Sequence, residues 1–79
     1  MPVSSSHAPE DYLHLLTRLL SHEGYPPAYV EVMSGAVSVW FWVGTTTIQV
    51  IRTVQSDTLG LIMEIVLEAQ RRGVLVTGQ

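Results

Sequence analysis

The sequence predicts a small α+β domain, a two-layer α/β sandwich in the order α-β-β-β-α, with both helices on one face of a three-stranded antiparallel meander. Three observations carry this: an amphipathic stretch after Pro9, two short turn signals whose implied registers agree, and a strongly apolar stretch after Asp57. Residues Met1–Ala8 are polar, serine-rich and without period, and read as a flexible lead-in to a single domain over 9–79. From Pro9 a helix is signalled by proline in the first turn, by Glu10 and Asp11 at the positive end of the dipole, and by Gly24 as a stop before Pro26 and Pro27. At about 100° per residue, Tyr12, Leu13, Leu15, Leu16, Leu19 and Leu20 fall on one side, and Glu10, His14, Thr17, Arg18 and Ser21 on the other.

Ser34-Gly35 and Gly44-Thr45 suit two-residue hairpin turns. The first sets Met33 against Ala36, Val32 against Val37, Val30 against Val39 and Ala28 against Phe41. The second sets Val43 against Thr46, Phe41 against Ile48 and Val39 against Val50, which continues the same face. A slip of one residue scatters this apolar set over both faces, so the agreement of two independent turns predicts strands over about Ala28–Met33, Ala36–Val43 and Thr46–Thr53. A second helix follows, with Ser56 or Asp57 as N-cap, an apolar body from Leu59 to Ala69, and Gly73 after Arg71 and Arg72. Its polar arc is narrow, and the surplus apolar surface calls for cover from the first helix, from Val74-Leu75-Val76 as a possible short fourth strand or a packed extension, or from a partner.

Composition narrows the function. The 79 residues are 47% apolar and 14% charged, against about 25% charged in a typical globular chain, so the chain folds rather than staying disordered. Net charge is −3, cysteine and lysine are absent, and the cations are Arg18, Arg52, Arg71 and Arg72. Disulfides, thiolate metal sites, Schiff-base lysines and P-loops are thereby excluded. The amino terminus lacks the basic and apolar regions of a signal peptide, and the longest apolar runs, Val37–Val43 and Leu59–Leu67, fall far short of the roughly 20 residues of a membrane helix. The expectation is a cytoplasmic protein without membrane attachment, whose small core gains from association with another chain.

Alternation turns Val30, Val32, Val37, Val39, Phe41, Val43, Ile48 and Val50 toward the helices and sends Tyr29, Glu31, Met33, Ser38, Trp40, Trp42, Thr47, Gln49 and Ile51 the other way. That second set is not what a wetted face carries. Tyr29 lies across from Trp40, Trp42 across from Thr47, and Ser38 between Glu31 and Ile51. Tyrosine and tryptophan are enriched where proteins meet proteins, so Tyr29, Trp40 and Trp42 are the expected anchors of a docking face, with Met33, Thr47, Gln49 and Ile51 around them. The competing expectation is that the tail, the lead-in or a helix folds over this face and makes it core.

Helix, meander and helix is also the element order of double-stranded RNA-binding domains, which this chain resembles in topology alone. In that family the second helix opens with lysines that meet phosphate. Here the matching stretch is Ser56-Asp57-Thr58-Leu59-Gly60 and carries an acid, and Gly44-Thr45 offers no basic loop. Nucleic acid is accordingly not expected, and Arg52, on the helix side, builds no cationic channel beside the indoles.

No catalytic constellation emerges. His14 and His22 lack the i, i+4 spacing of a helical metal pair, and His14 reads as part of a surface network with Glu10 and Arg18. Ser4, Ser5, Ser6, Ser34 and Ser38 have no histidine and acid placed to activate them. Glu64 and Glu68 read as a wet helix face offset by Arg71 and Arg72, Arg52 as the partner of an acid or end cap on the second helix, and Gly60 as a site of close helix packing. The expected function is a protein-protein interaction domain without catalysis, cofactor or metal, binding itself as a homodimer or another protein. The alternative is a small inhibitor or adaptor of phage or plasmid type that docks on a host protein through the same face.

Overall fold

The computed structural model describes residues 3–76. Helix α1 (Val3–His22) leads into β1 (Tyr29–Met33), β2 (Ala36–Val43) and β3 (Thr46–Thr53), and α2 (Thr58–Arg71) follows. The strands form one antiparallel sheet in the order β1-β2-β3.

Register follows from the two turns. Ser34 and Gly35 both take positive φ, 53° and 77°, as a two-residue turn twisted to match the strands requires. Gly44 supplies the positive φ, 66°, of the second turn. The pairing is Tyr29↔Trp40, Val30↔Val39 and Val32↔Val37 on one side of β2, and Val39↔Val50, Phe41↔Ile48 and Trp42↔Thr47 on the other. Ala28 departs from expectation: it lies outside β1 and is exposed, although its N–H still reaches the Trp40 carbonyl at 2.7 Å. Ser34 is an L-residue in a left-handed conformation that ordinarily costs about 1–2 kcal/mol. Ser34→Asn, which creates the favoured Asn-Gly turn, is expected to raise stability by about 0.5–1 kcal/mol. Urea unfolding monitored at the tryptophans checks this, and an unchanged midpoint contradicts it.

The core gathers one sheet face and both helices into a single cluster. Val30, Val37, Val39, Phe41 and Val50 come from the sheet, Leu16 and Leu20 from α1, and Leu61, Ile62, Ile65, Val66 and Ala69 from α2. Val32, Val43 and Ile48 pack against it in part, as do Tyr12, Leu13 and Leu19, whereas Leu15 is exposed.

Both helices end in the same way. After α1, Tyr25 N–H reaches back to the Leu20 carbonyl at 2.9 Å and Gly24 N–H to that of Ser21 at 3.0 Å. After α2, Val74 N–H reaches Ala69 at 3.0 Å and Gly73 N–H reaches Gln70 at 3.2 Å. Gly24 and Gly73 hold φ of 93° and 96°, so each chain reverses through a left-handed glycine that satisfies the last carbonyls. The residue after each glycine is thrown back onto the core, and Tyr25 and Val74 are buried there. Tyr25 had no place in the sequence expectation; its hydroxyl accepts a hydrogen bond from Gln70 Nε2 at 2.9 Å and ties the two helix ends together.

Three expectations are corrected. Helix α1 begins at Val3 rather than Pro9, so part of the stretch read as a loose lead-in is helical; Met1 and Pro2 lie outside the described residues. No glycine interrupts the upstream residues, and Pro9 falls early in the helix, where it removes one hydrogen bond and crowds one carbonyl of the preceding turn. Glu10 and Asp11 consequently fall beyond the first turn and do not complement its dipole. Residues 74–76 form no strand, because Val74 is spent in closing α2. Gly60 serves the N-cap rather than helix packing: its N–H donates to Asp57 Oδ1 at 3.0 Å, and a β-carbon there would meet Asp57 Oδ2 at 2.6 Å. Among the described residues, no helix is long and apolar enough to cross a membrane.

Candidate interaction surface

The sheet face turned away from the helices carries the candidate site. Strand alternation directs Tyr29, Glu31 and Met33 of β1, Ser38, Trp40 and Trp42 of β2, and Thr47, Gln49 and Ile51 of β3 to this side. Exposure reaches 58% at Tyr29, 60% at Met33 and Trp42, and 50% at Ile51. Thr47 and Gln49 are exposed as well. The two indoles differ. Trp40 is half-buried, with its ring centroid 5.3 Å from that of Tyr29 at an interplanar angle of 49°, a tilted pair that holds both rings in place. Trp42 is the more open ring, because its cross-strand neighbour on β3 is the short Thr47 and β1 does not extend beside it.

Four apolar side chains half to three-fifths exposed thus share one face, Tyr29 and Trp42 beside Trp40, and Met33 set apart from the rings by Glu31 and Ser38. Sequence reasoning passed over Glu31 as a group with chemistry of its own. It is half-buried between Tyr29, Met33 and Ser38, and among the described residues no ion pair or hydrogen bond reaches its carboxylate. Alternation placed it on this face, but only the assembled sheet shows that no cation among the described residues pairs with it.

The charged side chains of β3 and α2 serve the scaffold. Arg52 leaves β3 toward α2, where Nη2 lies 3.3 Å from Glu68 Oε1 and Nε 3.9 Å from Glu64 Oε1, as expected for an acid on the second helix. Arg71 reaches Glu68 at 3.5 Å, whereas Arg72 turns from the acids and donates from Nη1 to the Gln49 carbonyl at 2.6 Å. His14, His22 and Arg18 are exposed and make no ion pair among the described residues; the Glu10 side chain lies outside them. No cluster of three metal-ligating side chains occurs among the described residues.

A second apolar surface lies on α2, where Leu59, Met63 and Leu67 recur at i, i+4 and i+8 and stay exposed. This is the surplus apolar arc that the sequence put on the second helix. Tyr12 presents a different anomaly: its hydroxyl is shut from solvent without a hydrogen-bond partner among the described residues, and burial pushes its ionisation above the ordinary value. Tyr12→Phe removes that unmet group and is expected to stabilise by up to about 1 kcal/mol near neutral pH. The gain should widen in alkali. Above pH about 10 the unfolded phenol ionises while the folded one resists, so the wild type loses stability that the phenylalanine variant keeps. Urea unfolding at neutral and strongly alkaline pH checks this, and a constant difference between the two proteins contradicts it.

Comparison with family models, curated proteins and solved structures finds no match, so the functional reading rests on this geometry.

Proposed function

We propose that this chain is a non-catalytic protein-protein interaction domain that self-associates through its aromatic sheet face. The observation that carries the reading is Trp42 held three-fifths exposed on a rigid strand beside the Tyr29–Trp40 pair, with Met33 and Ile51 completing the apolar platform. Rigid aromatics lose little conformational freedom when covered, which is why they anchor interfaces. A standard interface covers about 800 Å² per partner. The aromatic row on β1 and β2 supplies the anchors of such an interface, and Thr47 and Gln49 on the β3 edge supply part of a polar rim. A second copy is the occupant that always brings a matching patch, and a two-fold axis through the face sets each aromatic row against its equivalent.

A non-catalytic role is supported by the use of Arg52, Arg72, Glu64 and Glu68 in holding β3 to α2, with Arg71 paired to Glu68 within α2. The lack of cysteine suits a reducing compartment such as the cytoplasm. Sedimentation equilibrium across a wide concentration range tests the proposal: a monomer–dimer transition is expected. A monomer at every concentration overturns self-association and passes the face to a different protein, as an inhibitor or adaptor would use it.

A further inference from the structure

The sheet has two open edges, and they are finished differently. Each two-residue turn closes on a hydrogen-bonded pair, Met33↔Ala36 and Val43↔Thr46, so every second pair along each ladder is hydrogen-bonded. The bond from Val54 N–H to the Gly35 carbonyl, 2.8 Å, continues the β2–β3 series beyond the strand ends. It follows that Gln49 and Ile51 turn their backbone groups to the open side of β3, and Val30 and Val32 turn theirs to the open side of β1. Thr47 and Thr53 face the same way, and of the outward carbonyls on β3 the two central ones are occupied, that of Gln49 by Arg72 Nη1 at 2.6 Å and that of Ile51 by Arg52 Nη1 at 2.7 Å. Guanidinium groups on an edge block the approach of another strand. On β1, among the described residues, nothing beyond the β1–β2 ladder bonds to the backbone of Val30 or Val32.

Beside that unguarded edge lies a groove. It runs between α1 and β1, is lined by Leu13, His14, Thr17 and Val30, and has a volume of about 430 Å³. Leu13 and Val30 give it an apolar wall and the exposed His14 imidazole a polar one, while the Thr17 hydroxyl is already committed to the Leu13 carbonyl at 2.9 Å. A strand laid along β1 sends alternate side chains to opposite faces. The residues opposite Val30 and Val32 would turn to the groove side, which asks for apolar side chains. The residue opposite Glu31 would turn to the aromatic face and meet a carboxylate that has no cation.

We propose that the β1 edge receives an extended segment of a partner protein as a fourth strand, with apolar side chains facing the α1–β1 groove and a lysine or arginine opposite Glu31. Strand addition of this kind takes affinity from main-chain bonds and selectivity from alternate side chains. Charge complementarity argues against a second copy here. A two-fold pairing of β1 that satisfies both Val30 and Val32 sets Glu31 directly against its own equivalent, a like-charged pair at the closest cross-strand spacing. This chain has no lysine, and its arginines sit on α1, in the β3 clamp and at the end of α2. The main-chain edge does not use the aromatic rings, so this inference does not require self-association, although Glu31 itself lies on the aromatic face.

The test uses a fluorescent five-residue peptide, Thr-Val-Arg-Val-Thr, and its counterpart with glutamate in place of arginine, titrated with the whole chain by anisotropy. The arginine peptide is expected to bind, and Glu31→Gln to weaken it about three- to tenfold. Glu31→Arg should reverse the preference toward the glutamate peptide. Val32→Pro removes an N–H that faces the open edge without touching the ladder, a substitution edge strands tolerate, and should abolish peptide binding while leaving the far-ultraviolet circular dichroism unchanged. Amide hydrogen exchange should show protection of Val30 and Val32 on peptide addition. Absence of binding at millimolar peptide, equal binding of both peptides, or full binding by a folded Val32→Pro variant each overturns the proposal. So does protection of Val30 and Val32 that rises with protein concentration alone, which would name a second copy as the occupant.

Discussion

Phe41→Ala is expected to cost the protein about a quarter or more of its stability. Phe41 is fully buried at the centre of the sheet, paired with Ile48 and packed into the cluster that also takes Leu16, Leu61 and Ile65. Truncation of a buried phenylalanine costs about 3–5 kcal/mol, transfer and cavity together. A domain of this length has a total stability on the order of 4–12 kcal/mol, so the loss consumes about a quarter of the margin at best and all of it at worst. The melting temperature should fall by roughly 12–40 °C, a range set by the sensitivity of domains this small. Differential scanning calorimetry at low protein concentration measures it, and a fall of only a few degrees would mean that the sheet face does not seal the core as described.

Trp42→Ser, one residue away, is expected to do the opposite: the fold survives and the assembly fails. Trp42 points to the other side of β2 and is largely open, so its removal leaves no internal cavity. The aromatic anchor of an interface typically carries at least about 2 kcal/mol, so dimerisation should weaken by a factor of about 30 or more. Far-ultraviolet circular dichroism should stay native while sedimentation shifts to monomer. A second readout guards the interpretation. If association stabilises the wild type, its melting temperature rises with protein concentration, and in Trp42→Ser that dependence should vanish. A variant that dimerises as before would remove the aromatic face from consideration. Trp40→Ser is the less clean probe, because Trp40 is half-buried against Tyr29 and its loss also frees that ring.

The contrast between adjacent residues was legible in the sequence before any coordinates. Two short turns set the phase of three strands, and a period of two then assigns each side chain to a face, so Phe41 inward and Trp42 outward follow from counting. The same counting put Arg52 on the helix side at the sheet's margin, where it meets Glu64 and Glu68. The candidate face was readable as a set of residues. Its inequality was not: Trp40 half-covered, Trp42 open and Glu31 lacking a cation depend on ring packing and strand lengths that alternation does not specify.

Local pattern thus accounts for strand register, the division of faces and the glycine stops, because turns, alternation and helix caps act over a few residues and leave their mark in neighbouring letters. Other features needed the folded chain. That Tyr25 and Val74 close the core, that 74–76 stays out of the sheet, that Arg52 and Arg72 guard β3 while β1 is left open, and that a groove separates α1 from β1 all depend on how distant segments approach one another. Those approaches are set by the packing of whole elements around a shared core, for which no periodicity in a one-dimensional sequence stands as a signal.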